Sequence, residues 1–381
     1  MRRVSVNNDA FAAVMNELEK FEETQRVEKE HHIEGLLQKK RKNLRELSTA
    51  AKAVRFRHEE GRRTLRSKIL QEADVLCCTL NGSAVHELSE LAFDCVIIDE
   101  ACQSTEPESL IPLQYHARKL ILVGDPNQLP ATVKSTTAAK AGLLRSLFER
   151  IKPKVHSWGA LRILTVQYRM HREICAFPSE QFYENKLGTD SSVLLRPPAV
   201  WQVADANSRY NKPYMVFNTE GREKTDRDQT SFYNEYEAHV AVYIIYSLCR
   251  QYPSLCFAGK IAIIAPYKRQ IEYIKTLLSS RFGHKVINCI DIGTVDGFQG
   301  KEVDIVIFTC VRTSSIGFLE NAKRMNVALT RARHSLFVIG CVHALSTAHN
   351  SENWQALFAD AAKRQVLRDL YNLVNGGNRS G

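Results

Sequence analysis

Cys95-Val-Ile-Ile-Asp-Glu-Ala-Cys102 is the stretch that decides how this chain folds. An apolar, β-branched run ends in two adjacent carboxylates, Asp99 and Glu100. A strand that is apolar at successive positions is buried on both faces, the habit of a parallel sheet covered by helices. Ligands of such sheets bind beyond the carboxyl ends of the strands, so the two acids stand where phosphate chemistry would be done. For an isolated Asp-Glu, a solvated strand end is an equally good reading. The balance shifts at Lys119-Leu-Ile-Leu-Val-Gly-Asp-Pro-Asn-Gln-Leu-Pro130, a second apolar run that enters a Gly-Asp-Pro turn and then Gln128. An uncharged donor and acceptor there can sense a terminal phosphate or the water attacking it.

Outward from these two runs the same alternation continues. Apolar runs at 74–80, 93–99, 119–123, 162–166, 260–265, 304–311 and 335–340 predict strands, and 234–250, 268–282, 321–333 and 353–364 predict helices. Strands separated by helices define an α/β fold with a parallel sheet. The polar stretch near 188–232 reads as a loop insertion or an edge. Residues 10–70 differ: they contain no Pro and only two Gly, and apolar residues recur at helical spacing through Ile33, Leu36, Leu37, Leu44, Leu47 and Val54. Such narrow apolar stripes need a partner, so a long helical hairpin is expected. The resulting divisions are 1–72, 73–150, 151–345 and 346–381, the last a helix with a disordered tail.

Composition narrows the class. The 381 residues are 44% hydrophobic and 25% charged, an ordinary globular balance. Of the net charge of +10, residues 39–68 carry +9, with 12 basic and 3 acidic side chains. That concentration suggests a polyanionic partner. No apolar run approaches the ~20 residues of a membrane span. The ten cysteines include no Cys-x-x-Cys pair, so a disulfide framework or zinc ribbon is not expected, and a reducing compartment is.

Five motifs in order carry a resemblance: Asp99-Glu100-Ala-Cys-Gln, Gly124-Asp-Pro-Asn-Gln128-Leu-Pro, Gln167-Tyr-Arg-Met-His171, Thr294-Val-Asp-Gly-Phe-Gln-Gly300 and Asn326-Val-Ala-Leu-Thr-Arg331-Ala-Arg333. Over roughly three quarters of its length the chain resembles superfamily 1 helicases of the Upf-like group, most closely the senataxin branch. The resemblance implies tandem RecA-like motor domains of the P-loop NTPase class, the first incomplete, preceded by a helical stalk. It implies ATP and Mg²⁺ as cofactors, with Asp99 holding the metal through water and Glu100 as general base. Gln128 would couple the γ-phosphate to nucleic acid, Arg169 and Arg331 would be arginine fingers, and Tyr168 would stack on adenine. Glu302, just after Gly300, would contact ribose or the phosphate network. Thr79, Pro266, Tyr267, Gln270, Thr294 and Arg333 match strand-contacting positions. The implied partners are RNA, single-stranded DNA or an RNA–DNA hybrid, together with transcription or RNA-processing proteins and no membrane. The implied setting is the nucleus, with the cytoplasm also open, and roles in transcription termination and removal of RNA–DNA hybrids. Taken singly, Tyr168 reads as well as a core aromatic, and Arg333 as a surface ion-pair partner.

One part of that machinery has no counterpart. A phosphate-cradling loop, Gly-x-x-x-x-Gly-Lys-[Ser/Thr], is not found in the sequence. Gly259-Lys260 has Ser254 where the first Gly belongs, and Gly300-Lys301 is followed by Glu302. The strand feeding that loop is central to the first motor sheet, so its loss leaves the strands near 74–122 short of neighbours. Two accounts are open: a fragment or isoform of a larger helicase, which is the expectation, or a protein without autonomous hydrolysis. The contrasting functions are a non-catalytic nucleic-acid-binding module and, for 10–70, a docking arm for a protein.

Overall fold

The computed structural model describes residues 8–89, 91–203, 210–225, 231–257, 259–283 and 288–369. The expectation for the tail falls outside them. The chain packs as two compact units, Met1–Ala92 and Phe93–Gly381.

In the first unit the expected hairpin is instead one uninterrupted helix, Asn8–Glu72. The correction has a simple cause. A hairpin needs a turn, and the sequence offers only isolated Gly35 and Gly61, each costing about 1 kcal/mol relative to alanine, too little to break a helix of this length. Neither glycine lies near another group. The apolar stripe is on the surface, with Leu44, Leu47 and Val54 each exposed. The strand expected over 74–80 also does not form: that segment is irregular and runs into 3₁₀ turns at Asn81–Ala84 and His86–Leu88. A strand persists only where a neighbour completes its ladder, and this segment belongs to no sheet among the described residues.

The second unit holds the α/β architecture. Its main sheet has six strands, all parallel, in the order Leu367–Asp369, Tyr214–Asn218, Ala332–Gly340, Val303–Thr309, Ile261–Ala265 and Ile290–Thr294. Alternate side chains feed two cores. Ile261, Ile263, Ile305, Ile307, Phe337 and Ile339 pack under the helix Glu235–Gln251. Ala262, Ile264, Val306, Phe308, Leu336 and Val338 pack with Ile174, Met325 and Trp354 from the helices Arg172–Tyr183, Ala322–Leu329 and Glu352–Lys363. Burial on both faces explains the unbroken apolar runs seen in the sequence. The stretch 188–232 is corrected in part: within it, Tyr214–Asn218 is an interior strand with neighbours on both sides. The strand expected at 162–166 shrinks to Val166–Gln167, paired with Gly188–Thr189.

The opening motif lies in a separate sheet of two parallel strands, Cys95–Ile98 and Lys119–Leu122. Its faces are poorly covered: Ile97 is 65% exposed and Ile121 40%, whereas Ile263 is 0%. The shortage of neighbours expected for this sheet is visible as exposed aliphatic surface. It follows that Ile263→Val should cost about 0.5–1.5 kcal/mol, and Ile97→Val less than half of that. Denaturant midpoints at constant slope check this, and equal costs would show that Ile97 is buried in solution.

Among the described residues, no helix is long and apolar enough to cross a membrane.

Candidate functional site

The two strand ends of the small sheet are tied together before any side chain acts. The N–H of Ala101 donates to Val123 O at 2.7 Å. The loops approach so closely that a Cβ on Gly124 would lie 2.9 Å from the Cys102 nitrogen, so only glycine fits. Glu100 is left-handed, with φ 51°, and its N–H donates to Asp99 Oδ1 at 2.9 Å. The Gln103 amide donates to Glu100 Oε2 at 2.5 Å. Both carboxylates stand exposed at the strand end, Asp99 accepting from the Glu100 backbone and Glu100 from the Gln103 amide.

The Gly-Asp-Pro turn is more than a turn. Asp125 Oδ1 accepts the N–H of Asn127 at 2.9 Å. Its Oδ2 accepts the Gln128 amide at 3.0 Å and the Tyr183 hydroxyl at 2.6 Å. Asn326 Nδ2 donates to Tyr183 Oη at 2.7 Å and to Asn127 O at 3.0 Å. Burial, then the Asp125 charge, pushes the Tyr183 phenol well above its ordinary range, so it remains a donor. This network orients Gln128, whose Oε1 accepts from Arg331 Nη2 at 3.4 Å. Sequence reading missed Asp125, Tyr183 and Asn326 as members of the site. Asp125 and Asn326 lay inside quoted motifs; nothing local marks Tyr183, which arrives at the end of a helix 58 residues later.

Arg331 is 1% exposed. Its guanidinium donates to the carbonyls of Val327 at 2.9 Å and Lys301 at 3.4 Å, and to Thr330 Oγ1 at 3.1 Å. No carboxylate lies within hydrogen-bond reach among these partners. Burial, then the neighbouring Arg169 charge, pulls its pKa down to about 10. Arg169 is braced by Glu302, Nε to Oε2 at 2.7 Å, and by Thr330 O at 3.3 Å. That hydrogen bond holds the Glu302 carboxyl below its usual range. Arg331 thus reaches Gln128 and feels the charge of Arg169, which is itself paired with Glu302, an arrangement that a polyanion would relieve. The residues present accordingly fit a nucleoside triphosphate. The exposed carboxylates Asp99 and Glu100 also suit a Mg²⁺ ion carried with it, since Mg²⁺ at phosphate sites takes one or two carboxylates and most of its other ligands from phosphate and water.

The remaining expected positions scatter. Tyr168 is 65% exposed, its carbonyl accepting from Arg196 at 3.4 Å. Gly300 is left-handed and exposed, two residues before Glu302. Arg333 approaches Glu302 and Asp304, each at 3.9 Å, and its buried Nε has no hydrogen-bond partner. Pro266 and Thr294, at the carboxyl ends of Ile261–Ala265 and Ile290–Thr294, are half-buried. Tyr267 is buried. Gln270 is fully buried, its amide committed to the backbone of Asn234 at 2.8 and 3.3 Å. Thr79 lies in the first unit, its hydroxyl accepting from Gly82 N at 3.0 Å.

A six-stranded parallel sheet covered by helices, with a smaller parallel sheet whose strand ends lead into Asp99, Glu100 and Gln128, has the α/β architecture of the RecA-like class. Comparison with known families agrees. Residues 143–343, more than half of the chain, match a family described as AAA domain, and residues 3–136 match a second of the same description. The chain is 41% identical over 312 residues to helicase sen1 of Schizosaccharomyces pombe, covering 80% of this chain and 18% of that protein. It is 37% identical over 366 residues to the probable helicase senataxin of Homo sapiens, covering 91% and 13%. Against regulator of nonsense transcripts 1 of Dictyostelium discoideum it is 36% identical over 316 residues, covering 80% and 22%. The chain belongs to the Upf1-like superfamily 1 helicases, the group that includes Sen1 and senataxin. It spans less than a quarter of the length of these three relatives.

Proposed function

We propose that this chain supplies motor machinery of an ATP-dependent helicase or translocase that moves 5′ to 3′ along RNA, single-stranded DNA or an RNA–DNA hybrid. The observation that supports it best is the chain of contacts Asp125–Gln128–Arg331, which links the small sheet's loop to the segment opening Ala332–Gly340. When bound, Mg·ATP would supply the reacting phosphoryl group. Asp99 would hold the metal through water, and Glu100 would accept a proton from the attacking water. Gln128, oriented by Asp125, would report the state of the terminal phosphate, while Arg169 and Arg331 would neutralise charge developing on it. In this reading 73–150 and 151–345 belong to the two motor domains, and the work is done in the nucleus on RNA–DNA hybrids, at sites such as transcription termination.

The test is ATP hydrolysis with and without single-stranded RNA, by this chain and by a version preceded by a segment bearing Gly-x-x-x-x-Gly-Lys-Thr. RNA-stimulated hydrolysis in the loop-bearing version, lost in Glu100→Gln, is the expected result. Inactivity of both versions would end the motor reading. Salt-sensitive RNA binding without any hydrolysis would then point to a non-catalytic binding module.

A further inference from the structure

Behind the half-buried loops of the main sheet lies a file of three rings. Phe232 and Tyr267 meet edge to face with centroids 5.2 Å apart, and Tyr267 and Phe318 follow at 5.4 Å and a 36° tilt. Two guanidiniums are interleaved with them: Arg312 lies 3.8 Å over Phe232, and Arg324 lies 5.2 Å over Phe318. Arg324 is also paired with Asp296 at 3.3 Å, within the turn in which Thr294 Oγ1 accepts from Gly297 N. Of the three rings only Phe318 is open, at 51% exposure, against 4% for Tyr267.

The seating of Phe318 is tight. Its N–H donates to Tyr267 Oη at 3.4 Å. The preceding Gly317 is left-handed, φ 53°, and a Cβ there would stand 2.6 Å from the same hydroxyl. A side chain at 317 would therefore displace the ring behind it. Leaving a large aromatic half in water costs burial energy that the fold does not recover, yet here it is held rigidly from below.

We propose that Phe318 is a base-stacking platform for a single nucleic-acid strand, and that Tyr267 acts through it as a positioning residue; this rests on the nucleic-acid reading above. Arg312 is buried and paired with Glu223 at 3.3 Å, so the surface offers Phe318 beside the partly exposed Arg324, an aromatic face next to a cation as a base lies next to its phosphate. A flat ring accepts any base, which suits a motor that must move over every sequence.

The test is fluorescence anisotropy of the full chain with a labelled oligouridylate and with a strand of the same length lacking bases. Stacking contributes about 1–3 kcal/mol per base, so Phe318→Ala should weaken oligouridylate binding by about 5- to 150-fold and leave the base-free strand unchanged. Phe318→Trp should retain the wild-type preference for bases, with the salt dependence of binding unaltered throughout, because the ring carries no charge. Equal wild-type and Phe318→Ala affinity for oligouridylate would overturn the assignment, as would an equal loss on both strands, which would point to packing or a protein contact. A wild-type chain that binds neither strand would remove the nucleic-acid reading itself.

Discussion

Replacing Arg331 with methionine should abolish nucleotide turnover while leaving the fold nearly as stable as before. Two features of its surroundings pull in different directions. The guanidinium is buried with only carbonyl, hydroxyl and amide oxygens as hydrogen-bond partners, and burial plus Arg169 pulls its pKa down to about 10. A buried charge held without a carboxylate partner is a cost in the resting protein. Methionine fills a comparable volume and leaves no orphaned carboxylate behind, so stability should stay within about 2 kcal/mol of the parent. Catalysis should respond very differently. An arginine that neutralises a phosphoryl transition state is worth on the order of 10³–10⁵ in rate. Hydrolysis by the loop-bearing version should therefore fall by at least about 10³, with thermal melting nearly unchanged. Arg331→Lys should rescue little, because a point charge cannot reproduce the fork that reaches Val327 O, Lys301 O and Gln128 Oε1 together. Turnover within about tenfold of the parent would show that Arg331 is a packing residue.

What was legible in the sequence was set by burial. Strands covered on both faces announce themselves as unbroken apolar runs, and so Ile261–Ala265 and Val303–Thr309 were found within a residue or two. Tyr214–Asn218, buried at four of its five positions, escaped because its apolar run of four residues is short and sits in a polar stretch directly after Pro213. The helix Asn8–Glu72 was read correctly as helix and wrongly as two, since an apolar stripe says that a partner is needed and not where the partner comes from. The acids and arginines of the site stand in ordered local motifs and could be named in advance. Tyr183 could not, because its role comes from a contact with Asp125, 58 residues away, that exists only once the sheet has formed. Gln270 shows the reverse: a position matched to strand contact proves to spend its amide on Asn234.

Glu237 should make the stability of the folded protein fall as pH rises from about 4.5 to about 8. The residue is fully buried near the start of Glu235–Gln251, where Asn234 Oδ1 accepts its N–H at 3.1 Å. Burial pushes its carboxyl up from 4.5 to about 8, against the pull of the N–H groups of Val311 and Cys310. One carboxyl oxygen accepts the Val311 N–H at 2.8 Å, and Val311 is a β-branched residue held at φ 72°. Such a conformation costs on the order of 1–3 kcal/mol, so Glu237 is the clamp on a strained step just beyond the central strand. That step aims Arg312 at Phe232. The sign follows from proton counting. Between the unfolded pKa and the folded one, the native state holds a proton that the unfolded chain has released, so each rise in pH favours unfolding. The contribution is complete below about 4.5 and lost by about 8. It amounts to up to about 5 kcal/mol, because a pKa difference of one is worth about 1.4 kcal/mol. His171 and His334, whose pKa values are lowered by burial, act oppositely, their contribution vanishing as pH falls through their folded pKa values. Subtraction separates the two. In Glu237→Gln the amide oxygen still accepts from Val311, but no proton is exchanged, so the variant should lack the downward slope and keep that of the histidines. Denaturant melts of both proteins from about pH 5 to about pH 8 measure the difference directly. Parallel profiles would mean that Glu237 is ionised throughout, its charge carried by the Val311, Cys310 and Asn234 donors around it.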